Sequence, residues 1–141
     1  KMGEQNFKKG IQTYYKKFYN ANATTDDFRI EMEKASGKDL KIFFKQWLYQ
    51  PVNPKIDAIW SYDPINHKIN INLTQTQLTD FNFDLPIEIG YYTKDSKTPI
   101  LLKMNLKNKQ VSQSFNTKGV PEKLEIDPRN VLLSSNTITR N

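Results

Sequence analysis

The hydrophobic period changes from helical to alternating at the segment Pro51–Pro54, and this change constrains the fold more than any other feature of the sequence. Before the segment, apolar side chains recur at the spacing of one face of an amphipathic helix. After it, apolar side chains occupy every second position, which is the pattern of a β-strand with one buried face. The sequence therefore predicts an α+β chain in two parts, residues 1–53 and residues 54–141.

Boundary signals divide the first part into three short helices. The first helix is expected to end in the Asn20–Asn22 segment. The second begins after Thr24, whose hydroxyl can accept a first-turn N–H, and ends at Gly37, which tolerates the left-handed conformation. The third begins at Asp39 and cannot continue through Pro51, because proline lacks an N–H and its ring clashes with the preceding turn.

Aromatic side chains are more numerous on these helices than three short helices can bury against each other. Burial of one such side chain contributes about 1.5–3 kcal/mol, so their number indicates a missing partner surface. We expect this part to be the end of a larger helical domain that continues upstream of Lys1; a compact α+β domain with its helices on one sheet face is the alternative. The aromatic residues are Phe7, Tyr14, Tyr15, Phe18, Tyr19, Phe28, Phe43, Phe44, Trp47 and Tyr49.

Short alternating segments separated by polar turns follow Pro54, and they predict an antiparallel β-sandwich of six or seven strands. The end of the chain, Ser134–Asn141, has little to bury and is expected to fray. The clear alternating segments are residues 56–62, 69–73, 85–91, 100–106, 111–115 and 124–126.

Composition excludes several kinds of site. The chain has no cysteine, which excludes disulfides, thiolate metal sites and a cysteine nucleophile. His67 is the one histidine, so metal sites that need two histidines from this chain are excluded as well. We expect His67 to be a solvated turn residue, since a Ser-His-Asp site with Ser61 lacks the nucleophile-elbow signature.

Charge and hydropathy point away from nucleic acids and membranes. The net charge of +6 is scattered rather than clustered in a stripe, so we predict no nucleic-acid partner. No apolar run approaches the roughly 18–20 residues of a membrane span. The acidic residues Asp26 and Asp27 suit a helix N-terminus, and Glu31 and Glu33 are expected to be surface charges.

Five motif segments follow one another in order through the helical part. They are G-E-x-x-F-x-x-G-I-x-x-Y at Gly3–Tyr14, N-A-T-T-x-D-F at Asn22–Phe28, S-G-x-D-L at Ser36–Leu40, F-F-x-Q-W at Phe43–Trp47, and Q-P-x-x-P at Gln50–Pro54. This series resembles the zinc aminopeptidases of the aminopeptidase N and leukotriene hydrolase family, which are gluzincin metallopeptidases. The last segment departs from the family pattern, because a valine stands where the family usually has glycine.

The resemblance implies a position within a longer enzyme. In that family, zinc is held by H-E-x-x-H and a more distant glutamate of a thermolysin-like domain, and all of these lie upstream of the Gly3 segment. No H-E-x-x-H is present here. The resemblance therefore implies that residues 1–53 are the last helices of a truncated catalytic domain, that residues 54–141 are the β-sandwich domain, and that the chain holds no catalytic residue, metal ligand or cofactor.

Two functional hypotheses follow. The preferred one is a non-catalytic C-terminal fragment of a zinc-dependent aminopeptidase, whose partners are the upstream catalytic domain of the same polypeptide and, through the parent enzyme, a peptide substrate. The alternative is an autonomous β-sandwich interaction module without enzymatic activity. The residues expected to carry the family motifs and the interdomain packing are Phe7, Ile11, Tyr14, Phe28, Leu40, Phe43, Phe44, Gln46, Trp47 and Pro54.

Overall fold

The chain forms two compact units, Lys1–Gln50 and Pro51–Asn141, in a computed structural model that describes all 141 residues. The first is called the helical unit and the second the sandwich unit. The helical unit contains α1 (Glu4–Phe18), α2 (Thr25–Ser36) and α3 (Lys41–Leu48). Three helices followed by strands confirm the predicted α+β class.

The boundaries of α2 depend on the two residues that the sequence identified. The Thr24 hydroxyl accepts the N–H of Asp27, and the Asp27 carboxylate accepts the N–H of Thr24 in return, which forms a capping box. At the other end, Gly37 adopts a φ of 65° and donates its N–H to the carbonyl of Glu33 at 2.8 Å. Local side-chain chemistry therefore sets both ends of this helix.

A small apolar core joins the three helices. Met32, Leu40 and Phe44 are its buried members, and Phe28 packs against them. Helices α1 and α2 approach closely at Gly10, where an added Cβ would lie 2.6 Å from the Met32 sulfur. The absence of a side chain at this position leaves room for the end of the Met32 side chain.

The sandwich unit contains seven strands in two sheets. The first sheet has the order β5-β2-β1-β7 and the second has the order β4-β3-β6. The alternation predicted from the sequence is the alternation observed, since the apolar positions of each central strand face the core. The strands are β1 (Lys55–Asp63), β2 (Lys68–Gln75), β3 (Leu85–Thr93), β4 (Ile100–Leu106), β5 (Gln110–Asn116), β6 (Pro121–Ile126) and β7 (Ser135–Arg140).

The last strand corrects the prediction that the end of the chain frays. Strand β7 pairs in parallel with β1, with Ile138 opposite Ala58. Backbone hydrogen bonds anchor both ends of the pairing, from the Ser135 N–H to the Pro54 carbonyl at 3.1 Å and from the Asn141 N–H to the Trp60 carbonyl at 2.8 Å. Because β7 runs parallel to β1, the sandwich is largely but not wholly antiparallel. Backbone pairing orders this last segment although it has little apolar surface to bury.

A buried amide network fixes the connection between β2 and β3. The Gln75 amide accepts the Phe83 N–H at 2.9 Å and donates to the Phe83 and Asn108 carbonyls at 3.0 Å. The Gln77 amide donates to the Gln75 side chain at 3.1 Å and to the Phe81 carbonyl at 3.0 Å. Both glutamines are buried, so these bonds satisfy groups that would otherwise be costly to remove from water.

Candidate docking surface on the helical unit

An apolar pocket opens on the helical unit beside its core. The pocket has a volume of about 440 Å³. Its walls come from all three helices and from the residues that precede α1, so it forms only when the helices pack together. The lining residues are Lys1, Met2, Gly3, Glu4, Phe7, Phe28, Met32, Leu40, Phe43 and Phe44.

Aromatic contacts build the pocket and extend it along the helices. Phe28 lies at the centre, with its ring centroid 6.0 Å from that of Phe44 and 5.1 Å from that of Tyr14. Phe43 continues the series at 6.0 Å from Phe44 and 6.5 Å from Trp47. Edge-on and tilted geometries of this kind stabilise aromatic pairs beyond the area that they bury. The cluster is therefore an ordered surface rather than a loose collection of side chains.

Large apolar side chains around the pocket remain open to solvent. Phe7, which lines the pocket, is 47% exposed, and Ile11 one turn later on α1 is 39% exposed. Tyr15 and Tyr19 stack edge to face with their centroids 5.6 Å apart, and both are more than 60% exposed. Contiguous exposed apolar surface of this kind marks an interaction site, whereas scattered single residues do not. The helical unit thus exposes a row of large apolar side chains along α1.

The pocket is lined mostly by apolar side chains and has few groups that could take part in catalysis. Its only ionisable side chains are Lys1 and Glu4 near the start of α1, and both residues are exposed. The Lys1 ammonium lies 6.0 Å from the centroid of the Phe43 ring, which places a positive charge at the edge of the pocket. This arrangement suits the binding of an apolar side chain or helix face, and it contains no nucleophile next to a base.

A buried ion pair joins α1 and α2 outside the pocket. Glu31 is 3% exposed, and its Oε1 accepts hydrogen bonds from Lys17 at 2.8 Å and from Lys34 at 2.9 Å. These bonds lower the pKa of the Glu31 carboxyl below its usual value and raise that of the Lys17 ammonium. The expectation that Glu31 is a surface charge is wrong, because Lys17 reaches it from the neighbouring helix.

The structure brings most of the residues selected from the sequence into this surface, but not all. Tyr14 and Trp47 contact its aromatic cluster without lining the pocket. Ile11 is outside the pocket, Gln46 is a buried residue of α3, and Pro54 is buried in the sandwich unit. The pocket residues that were selected from the sequence are Phe7, Phe28, Leu40, Phe43 and Phe44.

Five of the ten lining residues were not selected as site residues from the sequence, and two of these five are methionines. Met2 precedes α1 and Met32 lies in α2, and both contribute flexible apolar side chains. The signal for Met32 was present, since it falls one helical turn after Phe28 on the same face. Met2 gave no such signal, because it lies outside the periodic segment.

The side chains of this chain do not fit a zinc site. No group of three or more histidine, aspartate, glutamate or cysteine side chains comes together. His67 sits in the turn between β1 and β2 with a φ of 50°, and its Nδ1 lies 3.3 Å from the Tyr62 hydroxyl.

No helix has the length and the apolar run that a membrane crossing requires.

Comparison with known proteins shows which proteins this chain is similar to. The model of the peptidase family M1 domain matches residues 1–47, the part of the chain that carries the pocket. Aminopeptidase N of Escherichia coli is 43% identical over 53 residues, which are 38% of this chain and 6% of that protein. Aminopeptidase N of Haemophilus influenzae is 28% identical over 106 residues, which are 71% of this chain and 12% of that protein.

The fold is that of a solved aminopeptidase over the whole chain. The structure of Legionella pneumophila aminopeptidase A in complex with aspartic acid superimposes with a TM-score of 0.74 and covers 99% of this chain and 16% of that one, at 16% identity. This likeness shows that the chain shares the fold of one segment of that protein, a helical unit followed by a two-sheet sandwich. The chain is thus similar to a C-terminal part of M1 aminopeptidases, with the family-model match confined to residues 1–47. It spans a small fraction of the length of these relatives.

Proposed function

We propose that this chain is the non-catalytic C-terminal part of a zinc-dependent aminopeptidase, in which the helical unit completes the catalytic domain and the sandwich unit braces it. The parent enzyme would remove N-terminal residues from peptides, with its zinc held by residues outside this chain. Phe7, Phe43 and the residues around them would then contact the upstream part of the same polypeptide.

The exposed apolar surface of the helical unit carries the proposal. Phe7 is nearly half exposed although it lines a pocket of about 440 Å³, so an apolar element that filled the pocket would bury the ring. Removal of apolar surface from water contributes roughly 25 cal/mol per Å². The M1 domain match covers this part of the chain and stops at residue 47, which supports the upstream part of an M1 domain as the occupant.

The donor set of the chain supports a non-catalytic role. Gluzincin chemistry uses two histidines one helical turn apart with a glutamate as general base. His67 has no second histidine beside it, and it lies in a turn of the sandwich unit. The relatives that carry the name aminopeptidase are much longer than this chain, so the missing ligands have room elsewhere in the parent polypeptide.

Fragment complementation tests the proposal. The upstream part of the parent reading frame is co-expressed with this chain, and hydrolysis of an aminoacyl arylamide is measured with each piece alone and with both together. We expect activity to require both pieces. Phe43→Asp in this chain should prevent complementation, because a carboxylate in the apolar pocket would have to be desolvated.

A matched control is available in the sandwich unit. Ile65 is an exposed residue of the turn after β1, so Ile65→Asp should leave complementation unchanged. Hydrolysis by this chain alone, or full activity of the upstream piece without it, would overturn the proposal. In that case the autonomous interaction module would be the better description.

A further inference from the structure

Strand β5 is an edge strand without the features that usually protect an edge. It forms one edge of the four-stranded sheet and pairs with β2 over its full length without a register shift. Its sequence, QVSQSFN, contains no charged residue and no proline. Natural proteins generally place charges, prolines or bulges at edges because an unpaired strand accepts another strand.

The other three edge strands do carry such features. Strand β4 contains Lys103 and β7 contains Arg140. Strand β6 begins with Pro121, contains Lys123, and its pairing with β3 shifts register at Tyr92–Thr93. Protection is therefore present at each of these edges and missing only at β5.

The backbone of β5 has a defined set of unpaired groups. Two backbone hydrogen bonds show which residues of β5 bond to β2. The Gln75 N–H donates to the Lys109 carbonyl at 2.8 Å, and the Thr117 N–H donates to the His67 carbonyl at 2.9 Å. Because paired and unpaired residues alternate in an antiparallel ladder, the odd-numbered residues bond to β2. The N–H and carbonyl groups of Gln110, Ser112, Ser114 and Asn116 consequently point away from β2, and all four residues are exposed.

We propose that β5 pairs with β5 of a second copy of this chain, antiparallel and about a two-fold axis at Gln113. In this register Ser112 lies opposite Ser114 of the second copy, and Gln110 lies opposite Asn116 of the second copy. These are the residues whose backbone groups are unpaired, so both partners exchange hydrogen bonds along the whole strand. The two sheets become one continuous sheet.

Side-chain chemistry favours a second copy as the occupant. An uncharged strand pairs with itself about a two-fold axis without setting like charges opposite each other. The half-buried Val111 lies opposite Phe115 of the second copy, and an aromatic side chain opposite a β-branched one is a favourable cross-strand pair. Strand β5 thus complements itself in backbone phase, charge and side-chain type.

Lysines at the two ends of β5 set the salt dependence. Lys109 precedes the strand and Lys118 follows it, so antiparallel pairing brings Lys109 near Lys118 of the second copy. Salt screens repulsion between exposed charges. A contact of one strand pair is smaller than a standard protein interface, so we expect a weak dimer whose dissociation constant decreases as salt is added.

Sedimentation velocity of the full chain tests the pairing over concentrations of about 10 µM to about 1 mM. Ser112→Pro removes an N–H that points to the free edge and leaves the ladder with β2 intact. We expect this variant to weaken dimerisation by at least about tenfold, because one hydrogen bond is lost in each half of the symmetric contact. Asn136→Lys on β7, the opposite edge of the same sheet, should dimerise like the unmodified chain.

A charge pair tests the symmetry and remains informative if the proline variant fails to fold. Gln113→Lys places two lysines opposite each other on the axis and should raise the dissociation constant by about fivefold, and Gln113→Glu should do the same. An equal mixture of the two variants should form heterodimers that are tighter than either homodimer. A monomer at all concentrations, or a dimer unaffected by both Gln113 variants, would overturn the proposal.

The same experiment separates this contact from the surface of the helical unit. Association that disappears with Phe43→Asp but persists with Ser112→Pro would belong to the apolar pocket and would contradict pairing through β5. Protection of β5 by an added extended peptide, without any dimer, would also contradict a second copy as the occupant.

Discussion

The helical unit and the sandwich unit bury their apolar side chains to very different extents. The helical unit encloses Met32, Leu40 and Phe44 and leaves Phe7, Ile11 and many other large side chains in contact with solvent. The sandwich unit encloses apolar residues from both sheets, and its exposed apolar residues are mostly isolated on turns. The sandwich unit therefore has a closed core of its own, whereas the helical unit leaves much of its apolar surface in water, as expected if it completes a larger core in the way we propose.

A matched pair of truncations should give the largest difference between the units. Leu73 is fully buried in the sandwich unit, so Leu73→Ala should cost about 2–5 kcal/mol in the free energy of unfolding. Ile11→Ala on the helical unit should cost less than about 1 kcal/mol, because the side chain is already partly in water.

Each truncation is measured by urea unfolding of the full chain. In a Trp47→Phe background, Trp60 is the one remaining tryptophan and reports on the sandwich unit, while circular dichroism at the helical band reports on the helical unit. Equal losses in the free energy of unfolding for the two variants would contradict the difference in burial between the two units.

Two crowded glycines offer a second comparison. An added Cβ at Gly90 would meet the Pro99 Cβ at 2.8 Å and the Pro128 Cγ at 3.2 Å, and both neighbours belong to rigid rings. We expect Gly90→Ala to destabilise the sandwich unit by about 1–3 kcal/mol. Gly10→Ala should change the helical unit by less than about 1 kcal/mol, because the flexible end of Met32 can move and alanine favours the helix.

Thermal unfolding of the two alanine variants checks this expectation. If Gly10→Ala were the more damaging of the two, the helical unit would be the more tightly packed one, contrary to the comparison above.

The helices and most strands could be predicted because residues close together in the sequence determine them. Thr24 and Gly37 act at the two ends of α2, and the alternation in β1 and β2 sets their buried faces. Strand β7 was missed because its order comes from backbone pairing with β1, which lies far away in sequence. Gln75 and Glu31 were missed for the same reason, since a polar residue reveals its burial only when distant partners such as Asn108 and Lys17 are known.

The capping box of α2 should have a smaller effect than either core. Thr24→Ala removes the oxygen that accepts the Asp27 N–H and should cost about 1 kcal/mol of helical stability, while Thr24→Ser should retain most of it. Helical circular dichroism during urea unfolding measures both variants. An alanine variant as stable as the serine variant would show that the box does not stabilise this helix.

The ion pair of Glu31 should appear as a change in pH dependence. Its pKa is lower in the folded chain than in the unfolded one, because Lys17 and Lys34 donate hydrogen bonds to the carboxylate. The stabilisation is therefore fully present above the unfolded pKa, about 4.3, and is lost as the pH falls through the folded pKa.

Glu31→Gln should remove this dependence. The stability difference between the unmodified chain and Glu31→Gln should shrink as the pH is lowered from neutral into the acid range. Glu122→Gln, at an exposed position of β6, serves as the control. A difference that stays constant or grows on acidification would contradict the assigned role of Glu31.

Hydrogen exchange of the chain with and without the upstream part of the proposed parent enzyme measures whether that part covers the helical unit. Mass spectrometry of peptides from α1, α2 and α3 is compared with peptides from β2, which serve as the internal reference. We expect the upstream part to slow exchange in the helices and to leave β2 unchanged, because it would cover the apolar pocket. Helices that are already as protected as β2 in the chain alone, and unchanged by the upstream part, would contradict this expectation.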